Sequence, residues 1–190
     1  MPALALIEFD SIAVGIVAGD AMVKTAPVAR IIAGTVHPGK YLVLVTGAVE
    51  PVQAAHAAGL AAGSAAVVDA LCLPQVHPAV AAGLAAVRQP QPLDALGILE
   101  TTTVAAAIQA ADVALKGAHV TLLELRLADG LGGKGVAFFA GAISDVQAAV
   151  EIGSDVLLDS GHLLQAVVIP QLHPEMQENL LAASRFRARI

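Results

Sequence analysis

Along the chain, apolar and polar positions alternate between two periods. Residues 3–9 form a short apolar run closed by Glu8 and Phe9, a strand rather than a helix by its length. Ser11 offers a side-chain oxygen to cap a helix running to about Thr25. Residues 29–36 and 41–48 are again strand-like, and His37-Pro38-Gly39-Lys40 between them reads as a tight turn through its Pro-Gly pair. A second helix is predicted over 51–63, with Pro51 in its first turn, then a strand over 67–73 and a short helix opening at His77-Pro78. The order is β-α-β-β-α-β-α. It then recurs over 96–100, 103–116, 120–127, 136–143, 145–153 and 163–169, followed by a longer C-terminal helix.

The two series are copies of one another. Leu4-Ala5-Leu6-Ile7-Glu8 matches Leu96-Gly97-Ile98-Leu99-Glu100, and Asp20 and Lys24 match Asp112 and Lys116 at the same spacing. Gly47-Ala48-Val49 matches Gly141-Ala142-Ile143, and Leu73-Pro74-Gln75-Val76-His77-Pro78 matches Ile169-Pro170-Gln171-Leu172-His173-Pro174. Repeats of this length set the domain organisation before any motif does. The reading is a first domain over 1–88, a stiff Pro-containing connector over 89–94, and a second domain over 95–190 with a C-terminal helix. The fold class is α/β (α+β), two tandem ferredoxin-like domains, each a split β-α-β with an antiparallel-containing four-stranded sheet.

Composition sharpens this picture. Hydrophobic residues make up 57% of the 190 and charged residues 14%. Two small domains cannot hide that much apolar surface internally, and subunit interfaces are the natural place for it. A membrane span does not fit: the charge-free run over 51–68 contains Gln53 and His56 and is broken by Gly59 and Gly63. Residues 1–7 lack the basic region of a signal peptide, and a single cysteine, Cys72, excludes an internal disulfide, so the cytoplasm is expected. Net charge is −6 and the only basic cluster is Arg185, Arg187 and Arg189, which argues against nucleic acid as a partner.

The string Ala18-Gly19-Asp20-Ala21-Met22-Val23-Lys24-Thr25-Ala26 and its copy at 110–118 resemble the first-helix signature of bacterial microcompartment (BMC) shell domains. Gly47-Ala48-Val49 with Val52-Gln53-Ala54-Ala55, its copy at 141–149, and the Val168-Ile169-Pro170…His173 ending resemble the same family. The unpermuted order is similar to that of tandem shell proteins from propanediol-utilising compartments. The resemblance covers about residues 3–178. It implies a structural, non-enzymatic protein of the cytoplasmic microcompartment shell. Trimers of six-fold outline would tile with other shell proteins, hexamers and pentamers, and pass small metabolites through a central pore.

It also implies residue roles. The turn with His37, Pro38 and Gly39 and the turn with Leu131, Gly132 and Gly133 match the family's pore loops, where glycine suits close backbone approach. Lys24 and Lys116 match edge lysines; the plain alternative is an i,i+4 ion pair with Asp20 or Asp112, worth about 0.2–0.5 kcal/mol. Gln75 and Gln171 stand where many relatives carry an arginine that joins neighbouring tiles, so lateral assembly is expected to be weaker or differently partnered. His37 is expected to face the pore, three copies per trimer, as an uncharged polar lining, with zinc capture or an off-axis surface position as alternatives.

Some tandem relatives hold an iron–sulfur cluster at the pore, but neither turn here contains Cys, so no cofactor is expected. Gly130-Leu131-Gly132-Gly133-Lys134 is no P-loop, because it lies between two strands and lacks the spacing. His56, His119 and His162 are dispersed, and Glu8 and Glu100 end equivalent strands, so they read as structural. A soluble ligand-binding regulator on the same duplicated fold is the rival from another class, and an enzyme the third.

Overall fold

The computed structural model describes residues 2–89 and 94–182. The middle of the connector and Arg185, Arg187 and Arg189 lie outside them. The first half runs β1 (Ala3–Phe9), α1 (Ile12–Thr25), β2 (Arg30–Val36), β3 (Lys40–Gly47), α2 (Val49–Gly63), β4 (Val67–Leu73) and α3 (Pro78–Leu84). The second runs β5 (Ala95–Thr101), α4 (Val104–Gly117), β6 (Thr121–Leu127), β7 (Gly135–Gly141), α5 (Ile143–Asp155), β8 (Leu163–Ile169) and α6 (Pro174–Leu181). The sheets are ordered β2-β3-β1-β4 and β6-β7-β5-β8, all pairs antiparallel, the α/β arrangement read from the duplication.

Capping sets the helix starts. Ser11 accepts from the Val14 N–H and Thr103 from the Ala106 N–H, as their positions before the apolar runs require. His77 and His173 cap the short third helices, each ring Nδ1 accepting an N–H two residues on. Helices α2 and α5 begin two residues earlier than periodicity alone indicates, at Val49 and Ile143. Pro51 is still within the first turn, where no N–H is needed. The C-terminal helix is one residue longer than α3 and ends at Leu181, because Ala182 turns extended.

β1 is fully buried because both its faces are used. Ala3, Ala5, Ile7 and Phe9 pack with Val43 and Val45 under α1 and α2. Leu4 and Leu6 join a second cluster with Val76, Val80 and the buried residues of α4. The helices cross closely at Gly59, where an added Cβ would stand 2.6 Å from Ile7 and 2.7 Å from the Met22 sulfur. No described helix is long and apolar enough to cross a membrane.

Candidate functional site: the paired turns and the seam between halves

The two β-hairpin turns, nearly a hundred residues apart in sequence, meet in space. The His37 N–H donates to Asp129 Oδ1 (3.2 Å), and the His37 ring Nδ1 lies 3.2 Å from the same oxygen. A Cβ on Gly133 would come within 2.8 Å of the Pro38 ring, and its φ of +88° is one that side chains resist. Gly39, Gly130 and Gly132 also have positive φ, and the His37–Pro38 peptide is cis. His37, Pro38, Gly39 and Gly132 are exposed, Leu131 is half-buried and Gly133 is buried against Pro38. Beside them Lys40 pairs with Glu8 (3.2 Å) and Lys134 with Glu100 (2.8 Å). The turns thus present a polar, backbone-rich tip.

The second constellation is the seam where α4 of the second half docks on β4 and α3 of the first. Asp112, only 1% exposed, accepts the His77 N–H (2.7 Å) and pairs with Lys116, whose ammonium also donates to the Gln75 carbonyl. At the other end of α4, Glu8 accepts the Ala105 N–H (2.7 Å), putting a carboxylate at a helix N-terminus. Thr103 donates to Asp69, and Thr102 meets the His162 ring (2.8 Å). A Thr–His–Asp order is visible here, yet His162 Nε2 is 3.8 Å from Asp69, beyond a hydrogen bond. Asp69 is instead engaged by Thr103 and the Ala70 N–H, so these groups join the halves rather than build a nucleophile.

Burial pushes the Glu8 carboxyl above its ordinary range, with the Ala105 N–H and Lys40 opposing in part. In the window just above the ordinary carboxylate value, the folded chain keeps a proton that the unfolded chain has released. Stability therefore falls as pH rises through that window. Glu8→Gln should flatten this slope in denaturation midpoints measured from pH 4 to 7; an unchanged slope would place its origin elsewhere.

The two copies differ sharply in exposure. Ile108 is 0% exposed and its counterpart Ile16 is 54%. Asp112 is buried, while Asp20 is exposed and, among the described residues, paired within its own helix with Lys24. β2 and β8 are open where β6 and β4 are more covered. Gln75 and Gln171 both have exposed side chains. Sequence reading took Lys116 and Gln75 as outer-edge residues and Asp112 only as an ion-pair partner of Lys116, and it did not single out Asp69 or Thr103. Glu8, an acid in an apolar strand, was the one signal available.

Cys72 sits in β4 opposite Ala5, partly buried, its thiol pushed up by desolvation. It lies in a strand and in neither turn. His56 is held below its ordinary pKa by burial, and its Nε2 has no partner among the described residues. No group of three or more metal-ligating side chains occurs among the described residues.

The BMC domain family model matches residues 3–76 and again 95–172. The bacterial microcompartment shell protein PduT of Citrobacter freundii is 39% identical over 179 residues, 94% of this chain and 97% of that protein. The shell protein EutM of Salmonella typhimurium is 31% identical over 86 residues, 45% of this chain but 88% of EutM, as a single-domain relative of a duplicated chain must be. The crystal structure of a microcompartment protein from Desulfitobacterium hafniense DCB superposes with a TM-score of 0.80 at 39% identity, covering 94% of this chain and 99% of that one.

Proposed function

Since the chain belongs to the BMC-domain family and is a structural shell protein of a bacterial microcompartment, we propose that three copies close into a ring of six domains that tiles the shell. The domains are 1–88 and 95–190, joined by 89–94. The observation that carries this reading is the unequal exposure of the two first helices. α4 is buried against the first half, and its copy α1 carries Ile12, Ile16, Val17 and Val23 bare. A three-fold operation that repeats the internal seam gives α1 the same partner, the β8–α6 face of the next copy. Asp20 then meets the His173 N–H, and Lys24 the Gln171 carbonyl, as Asp112 and Lys116 meet His77 and Gln75.

In this ring the paired turns surround the axis. His37, Pro38, Gly39, Leu131, Gly132 and Gly133 line a pore for small metabolites, with His37 a polar lining held by Asp129 rather than a metal ligand. Lys24, Lys116, Gln75 and Gln171 stand at the rim of each seam, where neighbouring tiles, hexamers and pentamers of other shell proteins abut. In keeping with the shell-protein relatives it matches, the protein acts as a barrier and not as an enzyme, with no cofactor. A ligand-binding regulator would leave the bare α1 face unexplained.

Electron microscopy of the purified protein should show trimeric rings and sheets of them, and light scattering a trimer. A stable monomer at micromolar concentration overturns the reading. Changing Lys24 and Lys116 to Ala should leave rings in the micrographs but fewer sheets, with Lys116→Ala also lowering chain stability because it leaves the buried Asp112 carboxylate without its cation. Loss of the rings themselves would move these lysines from the rim to the interior of the seam.

A further inference from the structure

Past α3 the chain does something for which the described residues after α6 offer no counterpart. Residues 85–89 leave the first sheet and reach the outer edge of β6, where the Gln89 N–H donates to the Leu123 carbonyl (3.0 Å). Arg88, on this crossing, lies beside Phe138 and Leu180, bonds Glu124 (2.9 Å) and takes the carbonyls of Leu180 and Ala182 (2.9 and 2.6 Å). Between Arg88, Phe138 and Leu180 about 110 Å³ remains open over that part of the second sheet, with about 320 Å³ more on the side of Gly83 and Arg126.

The same place on the first sheet is a groove of about 550 Å³. Leu4, Leu6, Leu42 and Leu44 line it, with Leu84 and the half-exposed Ile32 at its sides. Strand register makes Leu44 the counterpart of Phe138, and Ile32 that of Glu124. The edge of β2, like that of β6, has no strand beside it in its sheet. An open apolar edge of this kind invites another chain.

The repeat names the occupant. Leu84 corresponds to Leu180, so Arg88 corresponds to Ser184, and the chain continues from there as Arg185-Phe186-Arg187-Ala188-Arg189-Ile190. This is strict alternation of basic and apolar residues, the period of a strand with one face buried and one in water. By that alternation Ser184, Phe186, Ala188 and Ile190 would share one face of such a strand, Ser184 standing at the repeat position of Arg88. We propose that residues 183–190 of one copy add to the free edge of β2 of the next copy, laying Phe186, Ala188 and Ile190 into the groove. The inference rests on the trimer reading above. Main-chain bonding to the sheet edge supplies affinity, and the groove selects the apolar side chains. Arg185, Arg187 and Arg189 face outward on a chain of net charge −6.

The test is a disulfide trap in a Cys72→Ala background, pairing Ile32→Cys with Ser184→Cys. Mild oxidation of the trimer should give covalent dimers and trimers on a denaturing gel, and neither single-cysteine chain should give them. A bridge formed only within one chain overturns the proposal, as does no bridge in a preparation that light scattering shows to be trimeric. A monomeric preparation instead removes the trimer reading, and this one with it. In the native background, Phe186→Ser should weaken trimer association about tenfold or more in sedimentation, and Arg187→Ala less than about twofold. Equal losses for the two variants contradict a strand with Phe186 inward.

Discussion

Ile16→Asp should convert the proposed trimer into a folded monomer of 19.1 kDa. Ile16 is 54% exposed on α1, in a row with Ile12, Val17 and Val23, while the equivalent Ile108 on α4 is 0% exposed. Each half has its own sheet, one cluster spans the two halves, and Ile16 belongs to none of the clusters. A carboxylate at position 16 therefore costs the single chain little. In the ring it would be enclosed as Ile108 is, without a partner, at a cost of several kcal/mol. Every 1.4 kcal/mol is tenfold in association, so micromolar protein should not assemble. Ile108→Asp makes the contrast: the same charge placed inside the chain should unfold it. Light scattering and circular dichroism read both outcomes. A folded trimer of Ile16→Asp would exclude α1 as the interface.

The second large effect separates the two carboxylates that the repeat makes equivalent. Asp112→Ala should lower the unfolding free energy of the chain by about 2–4 kcal/mol. It strands the His77 N–H in the seam and removes the anion that Lys116 faces. Asp20→Ala should leave chain stability within about 0.5 kcal/mol, because its ion pair with Lys24 is exposed. Its effect should appear in assembly, about tenfold to a hundredfold weaker, the worth of one charge-assisted hydrogen bond across the subunit seam. Denaturation and sedimentation on the same two variants decide the matter. If both shift chain stability and neither shifts assembly, the subunit seam does not repeat the internal one.

Much of the fold was legible along the chain because local patterning and global fold agree. Strands and helices differ in period, Ser11 and Thr103 precede their helices as caps, and the Pro-Gly and Gly-rich turns separate strands whose pairing is dictated by the element order. Duplication doubled each signal, so an ambiguous segment in one copy was settled by the other. The helix starts at Val49 and Ile143 were missed by two residues, because Ala48 and Ala142 cap through backbone shape alone and leave no side-chain mark.

What sequence does not encode locally is which copy of a repeated pattern is covered. Asp20 and Asp112 are the same residue in the same motif, yet one is open and the other sealed. Burial depends on where the second half comes to rest on the first, and that is set by Leu4, Leu6, Val76, Val80 and α4 packing as one cluster across a hundred residues of chain. The meeting of His37 with Asp129, and of Pro38 with Gly133, is likewise a product of that docking. Each turn is predictable from its own glycines and proline; their contact exists only because two sheets, joined by a short connector, are held at one fixed angle by the seam between them.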